Sequence, residues 1–348
     1  MRIGIAFDLI PESACPDGLD DRYEEFDKPQ TINALAEVLR GEGHDVVRLG
    51  DGREFLNRVL TEPLDFVWNL AEGEGTGRSR EARVPAVLEM LGIPFLGSDP
   101  LTLAVSLDKG VARQLVASKL VPVPWGLVCP LDASATFISA GLSGLGFRER
   151  KDRVIVKPCF EGSSKGIRSG AVVDTCGRAI EVCLALARDY RQPILIEEFI
   201  AGDEVTVGIV GNGERAEVIG AMRIRPKVAD DGFVYSIEVK RNWDERVEYE
   251  TPARLPAEVM ARVTHAALEV YRRLGCRDLA RIDFRVRDGV PFFIEANPLP
   301  GLAPDWSDLV LLARGVGLCY PALIRQILTE ALIRVGLFGC TRPRGAAT

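Results

Sequence analysis

The chain has 348 residues, 47% of them hydrophobic and 27% charged, which is enough to bury a sizeable core in two or three compact units and argues against disorder. A net charge of −7 with pI near 5.2 leaves no electrostatic footprint for DNA or RNA, so nucleic acid is not an expected partner. Eight scattered cysteines without a C-x-x-C pair, and only two histidines, His44 and His265, suggest neither a zinc site nor a disulfide framework.

The opening run MRIGIAFDLI reads as a strand that already reaches Asp8, and no apolar run is long enough for export or membrane spanning. A reducing, cytoplasmic setting with no membrane partner is therefore expected. Strand signals follow at Arg2–Phe7, Asp45–Leu49, Leu64–Leu70 and Ile93–Leu96, with helices near 29–42, 51–61 and 79–91 between them. This alternation predicts an α/β unit over residues 1–98 with a parallel sheet. Asp27 is a candidate N-cap for the first helix, and Pro29 suits its first turn.

Residues 10–27 hold seven carboxylates and one arginine, too long a connection for a routine turn. A functional flap and a floppy acidic loop both remain open.

A helical pattern from Asp99 to Leu120 is broken by Val121-Pro122-Val123-Pro124. The central unit, 99–193, carries strands at Arg153–Lys157 and Ala171–Val173 and a helix near 177–190. The last unit, 194–340, opens with the strand Pro193–Glu198. It continues through Glu204–Val210, Arg215–Ile224, a long loop at 225–242, a helix at 256–274, a hairpin and a helix near 320–335. Residues 341–348 read as a frayed tail.

Chemistry-bearing residues fall on these elements. Lys157 closes the strand VIVKP, and the loop Glu161-Gly162-Ser163-Ser164-Lys165-Gly166 follows, where small residues let backbone N–H groups approach phosphate oxygens. It is not a P-loop, since G-x-x-x-x-G-K-[ST] is absent, and a plain glycine-rich turn is the simpler alternative. The strand PILIEEFI ends in two acids that suit a purine edge or ribose, or are ordinary solvent-facing glutamates.

Residues 280–301 alternate acid and oil about the turn Asp288-Gly289. Phe292, Ile294 and Ala296 form the apolar set of the second strand. If the loop has an odd residue count, Arg281, Asp283, Glu295 and Asn297 share one face. Such oxygen donors suit a hard divalent cation, which takes one or two carboxylates and fills its shell with water and phosphate. A solvated, salt-bridged face is the alternative.

Taken in order, GIPFLGSDPLTLAVSLDK (92–109), VIVKPCFEGSSKGI (154–167), ILIEEFIAGDEVTVGIVG (194–211) and ARIDFR…FFIEANPLPGL (280–302) resemble the D-alanine–D-alanine ligase-like family of the ATP-grasp superfamily. The resemblance implies an ATP-grasp fold behind an N-terminal Rossmann-like domain, and a homodimer. It also implies ATP and two Mg²⁺ ions, or Mn²⁺, as cofactors, and amino acids as substrates. Lys109 and Lys157 would contact the ATP phosphates, and the loop bearing Glu161, Ser163 and Ser164 would fold over them. Glu197, Glu198 and Ile200 would frame adenine, and Glu204 would hold ribose. Asp283, Glu295 and Asn297 would hold the metal. Arg281, Ser163, Lys240 and the backbone of Gly301 would serve the chemistry, in which a carboxylate is phosphorylated and then attacked by an amine.

Three departures stand out. The family's N-terminal glutamate signature is missing, leaving Glu24, Glu25 or Asp27 as candidates for the first amine. Arg241 stands beside Lys240 in place of an aromatic or histidine, a cation that could favour an anionic acceptor. Asp305-Trp306-Ser307-Asp308 replaces small residues after the Pro-Gly pair, with Ser307 the expected carboxylate binder. Ligases joining other amino acids, and a non-catalytic nucleotide-binding member, are the alternatives.

Overall fold

The computed structural model describes residues 1–11, 19–228, 230 and 232–339. The expected tail and part of the acidic loop lie outside them.

Strands β1 (Arg2–Ala6), β2 (Asp45–Gly50), β3 (Phe66–Asn69) and β4 (Phe95–Leu96) alternate with helices α1 (Pro29–Gly41), α2 (Gly52–Thr61) and α3 (Arg83–Leu91). They form a parallel sheet in the order β2-β1-β3-β4, as the alternation predicts. Lys28 rather than Asp27 is the N-cap of α1, with no side-chain cap bond, and Pro29 takes the first helical turn. Helix α3 starts later than the sequence suggests, so Arg80 and Glu81 lie in the loop before it.

Helices α4 (Pro100–Leu107) and α5 (Lys109–Val116) follow, each capped by an aspartate, Asp99 accepting from Thr102 N and Asp108 from Val111 N. Next come β5 (Gly126–Cys129), α6 (Ala135–Gly144), β6 (Val154–Pro158), β7 (Val172–Val173), α7 (Cys176–Tyr190) and β8 (Ile194–Glu198). These strands make the second sheet, ordered β5-β8-β6-β7.

Two sequence boundaries move. Strand β8 pairs with β5 and β6, so it belongs to the middle sheet and not to the last unit. Ala112, Val116 and Val121 share a core with Val205, Ile209, Val263 and Ile282, so α5 packs with the last unit. Buried apolar faces decide membership here, and linear order does not show them.

The third sheet comprises β9 (Asp203–Val210), β10 (Glu217–Pro226), β11 (Val247–Glu250), β12 (Leu279–Arg287) and β13 (Val290–Asn297), ordered β11-β10-β9-β12-β13. Short helix α8 (Ile237–Arg241) occupies the end of the segment read as a long loop, α9 (Trp243–Arg246) follows it, and α10 (Ala257–Leu274) packs the apolar face of this sheet. Helices α11 (Asp308–Gly315) and α12 (Tyr320–Arg334) complete the chain's described part. Leu323, Ile327 and Leu328 of α12 bury against Ile3, Ile5 and Trp68 of the first sheet, together with Leu35 and Leu39 of α1.

Asp278 ties these parts together. It is fully buried and accepts from Gly97 N at 2.8 Å, from Asn212 Nδ2 at 2.9 Å and from Arg334 at 2.7 and 2.8 Å. Four donors satisfy a carboxylate that would otherwise be costly to bury. The start of β12, and hence the hairpin, is thereby fixed relative to α12 and the first sheet.

Candidate active site

The hairpin turn holds two residues, Asp288 and Gly289, both at positive φ (52° and 73°), the pattern of a tight primed turn. An even loop should have put Glu295 on the face opposite Asp283. Register shifts by one between Asp283 and Phe284, making Ile294 an extra residue on β13. Below the bulge Phe284 faces Phe293; above it Asp283 faces Glu295 and Arg281 faces Asn297. The bulge therefore does what the odd loop was expected to do. It also corrects the apolar set, since Phe293 is 1% exposed in the core while Ile294 lines the cleft.

On this face the charges are interlocked. Arg281 donates to Asp283 at 2.9 and 3.1 Å and to Asp308 at 3.0 Å, and lies 3.8 Å from Glu295. Asn297 Nδ2 donates to Asp283 at 3.0 Å, and the Thr206 hydroxyl donates to the same carboxyl. Lys109, 7% exposed, reaches Glu295 at 3.2 Å and donates to the Glu161 carbonyl. The Lys109 and Arg281 cations hold the Glu295 carboxyl down at about 2 against its burial.

Above the hairpin, a cleft with about 970 Å³ of empty space, mouth included, opens between the second and third sheets. Ile155, Phe199, Ile200 and Ile224 give it an apolar part, and Lys109, Lys157, Arg281 and Lys240 bring cations to it. This is the usual mixture in a small-molecule site. Glu197 is a buried group and not a solvent-facing one: it is 3% exposed, 2.5 Å from Lys157 and 3.7 Å from Arg113. Glu198 pairs with Arg287 at 2.7 Å, and Glu204 with Arg285 at 2.9 Å.

Ser163 and Ser164 sit at positive φ, 49° and 61°, a strained conformation for residues bearing Cβ. Ser164 donates to the Tyr235 carbonyl at 2.7 Å, and Ile237 N to the Ile167 carbonyl at 3.1 Å, so this loop is stitched to the segment that carries Lys240. Burial pushes the Lys240 ammonium down from its ordinary value.

A second, smaller pocket of about 570 Å³ shares Lys109, Glu161, Ser163, Arg281 and Glu295 with the first. Asn297 and Gly301 line it from the hairpin side, and Glu25, Glu72 and Glu81 from the first sheet's loops. A Cβ on Gly301 would come within 2.9 Å of Ser307 Oγ, which itself accepts from Ala303 N at 2.8 Å.

The lysines, serine loop, acid-ended strand and hairpin thus surround one pair of joined pockets. Three predicted substrate groups do not. Arg241 lines neither pocket and instead pairs with Asp20 at 2.7 Å and Glu24 at 2.9 Å. Asp27 is half-buried just before α1, and loss of solvent pushes its carboxyl up to about 7. Ser307 lies behind Gly301, with its hydroxyl on a backbone N–H. Sequence reasoning missed Asp308, which holds Arg281. It also missed Arg80, Glu72 and Glu81, whose signal was a glycine-rich acidic run, EGEGTGRSRE, after β3.

Fold and site together define the class: an ATP-grasp enzyme, one of the ATP-dependent ligases that form carbon–nitrogen bonds. The family model described as D-ala D-ala ligase C-terminus matches residues 150–329. A D-alanine–D-alanine ligase of Albidiferax ferrireducens is 35% identical over 256 residues, covering 73% of this chain and 68% of that one. One of Geotalea uraniireducens is 31% identical over 306 residues, covering 87% and 90%. The crystal structure of the Bacillus anthracis D-alanine–D-alanine ligase complexed with ATP superposes with a TM-score of 0.73 at 24% identity, covering 97% and 100%. The chain belongs to the D-alanine–D-alanine ligase family.

Proposed function

We propose that the enzyme phosphorylates the carboxylate of one amino acid with ATP and joins the resulting acyl phosphate to the amine of a second, with D-alanine as both partners and a cell-wall dipeptide as product. The observation that carries this reading is the single polar face on which Arg281, Asp283, Glu295 and Asn297 meet Lys109 at the junction of two pockets. The larger pocket suits a nucleotide and the smaller an amino acid. Their shared residues lie where a terminal phosphate would meet a carboxylate.

A carboxylate is a poor electrophile, and both chemical steps concentrate negative charge. In the first, a carboxylate oxygen attacks the terminal phosphorus and ADP leaves. In the second, the amine attacks the acyl carbon, loses a proton and expels phosphate. Lys109 and Lys157 bind phosphate oxygens, and the N–H groups of the 161–166 loop close over them to exclude water. Arg281, aimed by Asp308, and the Gly301 N–H take the charge that builds on the tetrahedral carbon. Phe199 and Ile200 hold adenine. Glu197 and Glu198 are placed for its amine edge and Glu204 for ribose hydroxyls.

Among the described residues no three Asp, Glu, His or Cys groups converge as a closed metal cage. The donor set suits Mg²⁺ instead: Asp283 and Glu295 face each other, Asn297 adds an amide oxygen, and this ion fills its remaining positions with water and substrate phosphate. When bound, Mg²⁺ supplies charge neutralisation along the phosphates. No single helix among the described residues is long and apolar enough to cross a membrane. A cytoplasmic homodimer is the setting this reading implies.

The test is an ADP-release screen of paired D- and L-amino acids with mass detection of product. D-alanine alone yielding its dipeptide supports the proposal. ADP release dependent on other pairs moves the substrate assignment, and no release with any pair removes the ligase reading.

A further inference from the structure

The smaller pocket needs a partner for the ammonium of the amino acid that is phosphorylated, and among the described residues the acidic loop before α1 offers it one carboxyl, Glu25. That carboxyl is already full. Its Oε1 accepts from Arg80 at 2.8 Å and from Gly162 N at 2.6 Å; its Oε2 accepts from Arg80 at 2.9 Å and from Lys165 at 2.9 Å. A carboxylate has about four lone-pair sites, and all four are occupied.

Glu81 is in the opposite condition. It is 7% exposed and lines the same pocket, yet it makes no hydrogen bond or ion pair within the described residues. Glu72, on the same loop, also lines the pocket with no side-chain partner. Glu81 is thus a buried carboxyl without a donor and Glu72 a half-buried one, and such groups are uncommon in a folded chain. Around them, Arg80 acts on both carboxyls and Lys109 on Glu81, but Arg80 already serves Glu25 and Lys109 already serves Glu295. Two carboxyls and the cations Arg281 and Lys109 line this one pocket, so it presents both charges to a ligand. An amino acid zwitterion carries both.

We propose that Glu81 and Glu72 bind the ammonium of the first amino acid, and that Glu25 is a structural partner of Arg80 and Lys165 that takes no part in substrate recognition. This rests on the ligase reading above. Like-charge proximity and burial raise the Glu81 carboxyl to about 7, and an arriving ammonium relieves both.

The test uses hydroxylamine as the amine, which captures the acyl phosphate as a hydroxamate and so reads the first site alone. D-alanine is compared with D-lactate, which has a hydroxyl in place of the ammonium. The wild-type enzyme should prefer D-alanine. Glu81→Gln and Glu72→Gln should each lose about 10- to 100-fold in kcat/KM with D-alanine while D-lactate and the KM for ATP hold. Glu25→Gln should keep the preference for D-alanine even as its melting temperature falls. Equal losses on both acids in the Glu81 and Glu72 variants, or loss of the preference in Glu25→Gln alone, would overturn the assignment. If instead the wild-type chain forms hydroxamate with no acid at all, the ligase reading fails first, and this inference falls with it.

Discussion

Asp283 faces Glu295 across the hairpin only because Ile294 is bulged out of register between them. The bulge puts two carboxylates on one face of a strand pair whose two-residue turn would have separated them, and it frees Ile294 to line the larger cleft. Arg281, paired with Asp283 at 2.9 Å and Asp308 at 3.0 Å, is the cation of this face, and the proposed chemistry gives it the developing negative charge.

Replacing Arg281 with Met should therefore affect turnover more than nucleotide affinity. We expect kcat to drop about 10²- to 10³-fold, with the KM for ATP changed by less than about 3-fold. Steady-state kinetics at saturating amino acid reads both. Equal loss in the two parameters would place Arg281 in nucleotide binding instead.

Glu25 joins the loop before α1 to Arg80 and Lys165, with its side chain 4% exposed. Those cations and the Gly162 N–H hold its carboxyl at about 2 despite burial. Glu25→Gln leaves Arg80 and Lys165 with Glu161 as their remaining anion and should cost about 1–3 kcal/mol, read as a lower urea midpoint. The stabilisation is present above the ordinary carboxyl value of 4.5 and is lost as pH falls towards 2. A midpoint unchanged at pH 7 would contradict the role.

Asp27 behaves in the opposite sense. Burial raises its carboxyl from 3.8 to about 7, so the folded state favours the neutral acid. Its contribution is full below 3.8 and is lost as pH rises through 7. Asp27→Asn should gain on the wild type between pH 5 and 8.5 by on the order of 1–3 kcal/mol, in paired thermal melts across that range. Parallel melting curves at all pH values would show that Asp27 does not titrate there.

Arg241 is held at the surface by Asp20 and Glu24, away from both pockets. Arg241→Tyr should leave the preference between D-alanine and acidic amino acids as acceptor unchanged. It should shift stability by no more than about 1 kcal/mol, the usual range for exposed pairs. A new preference in an acceptor screen would restore Arg241 to the substrate path.

Much of this site was legible in the chain because its pieces are local. Lys157 beside its serine loop, and the alternation of Arg281, Ile282, Asp283 and Phe284 before the turn, are short-range patterns that the structure keeps. What escaped depends on tertiary packing. A bulge at Ile294 leaves no mark in a run where Phe292, Phe293 and Ile294 are all apolar. Glu72 and Glu81 reach the pocket, with Arg80 paired to Glu25 beside them, through a loop whose second half reads as helix in the sequence, and helix membership hides their convergence. Glu25, Arg241 and Asp27 were equivalent as acids and cations in a sequence; only their partners at 2.6–3.2 Å, or burial, separate them. The strand Ile194–Glu198 reads the same in either sheet until its neighbours are known.

Carboxylate activation is the central claim, and oxygen transfer tests it most directly. The enzyme is run with ATP, Mg²⁺ and D-alanine labelled with ¹⁸O in its carboxylate, and the released phosphate is weighed by mass spectrometry. If the carboxylate is phosphorylated, one labelled oxygen per turnover appears in phosphate beside ADP and dipeptide. Dipeptide formed with unlabelled phosphate would contradict the acyl-phosphate route through this site.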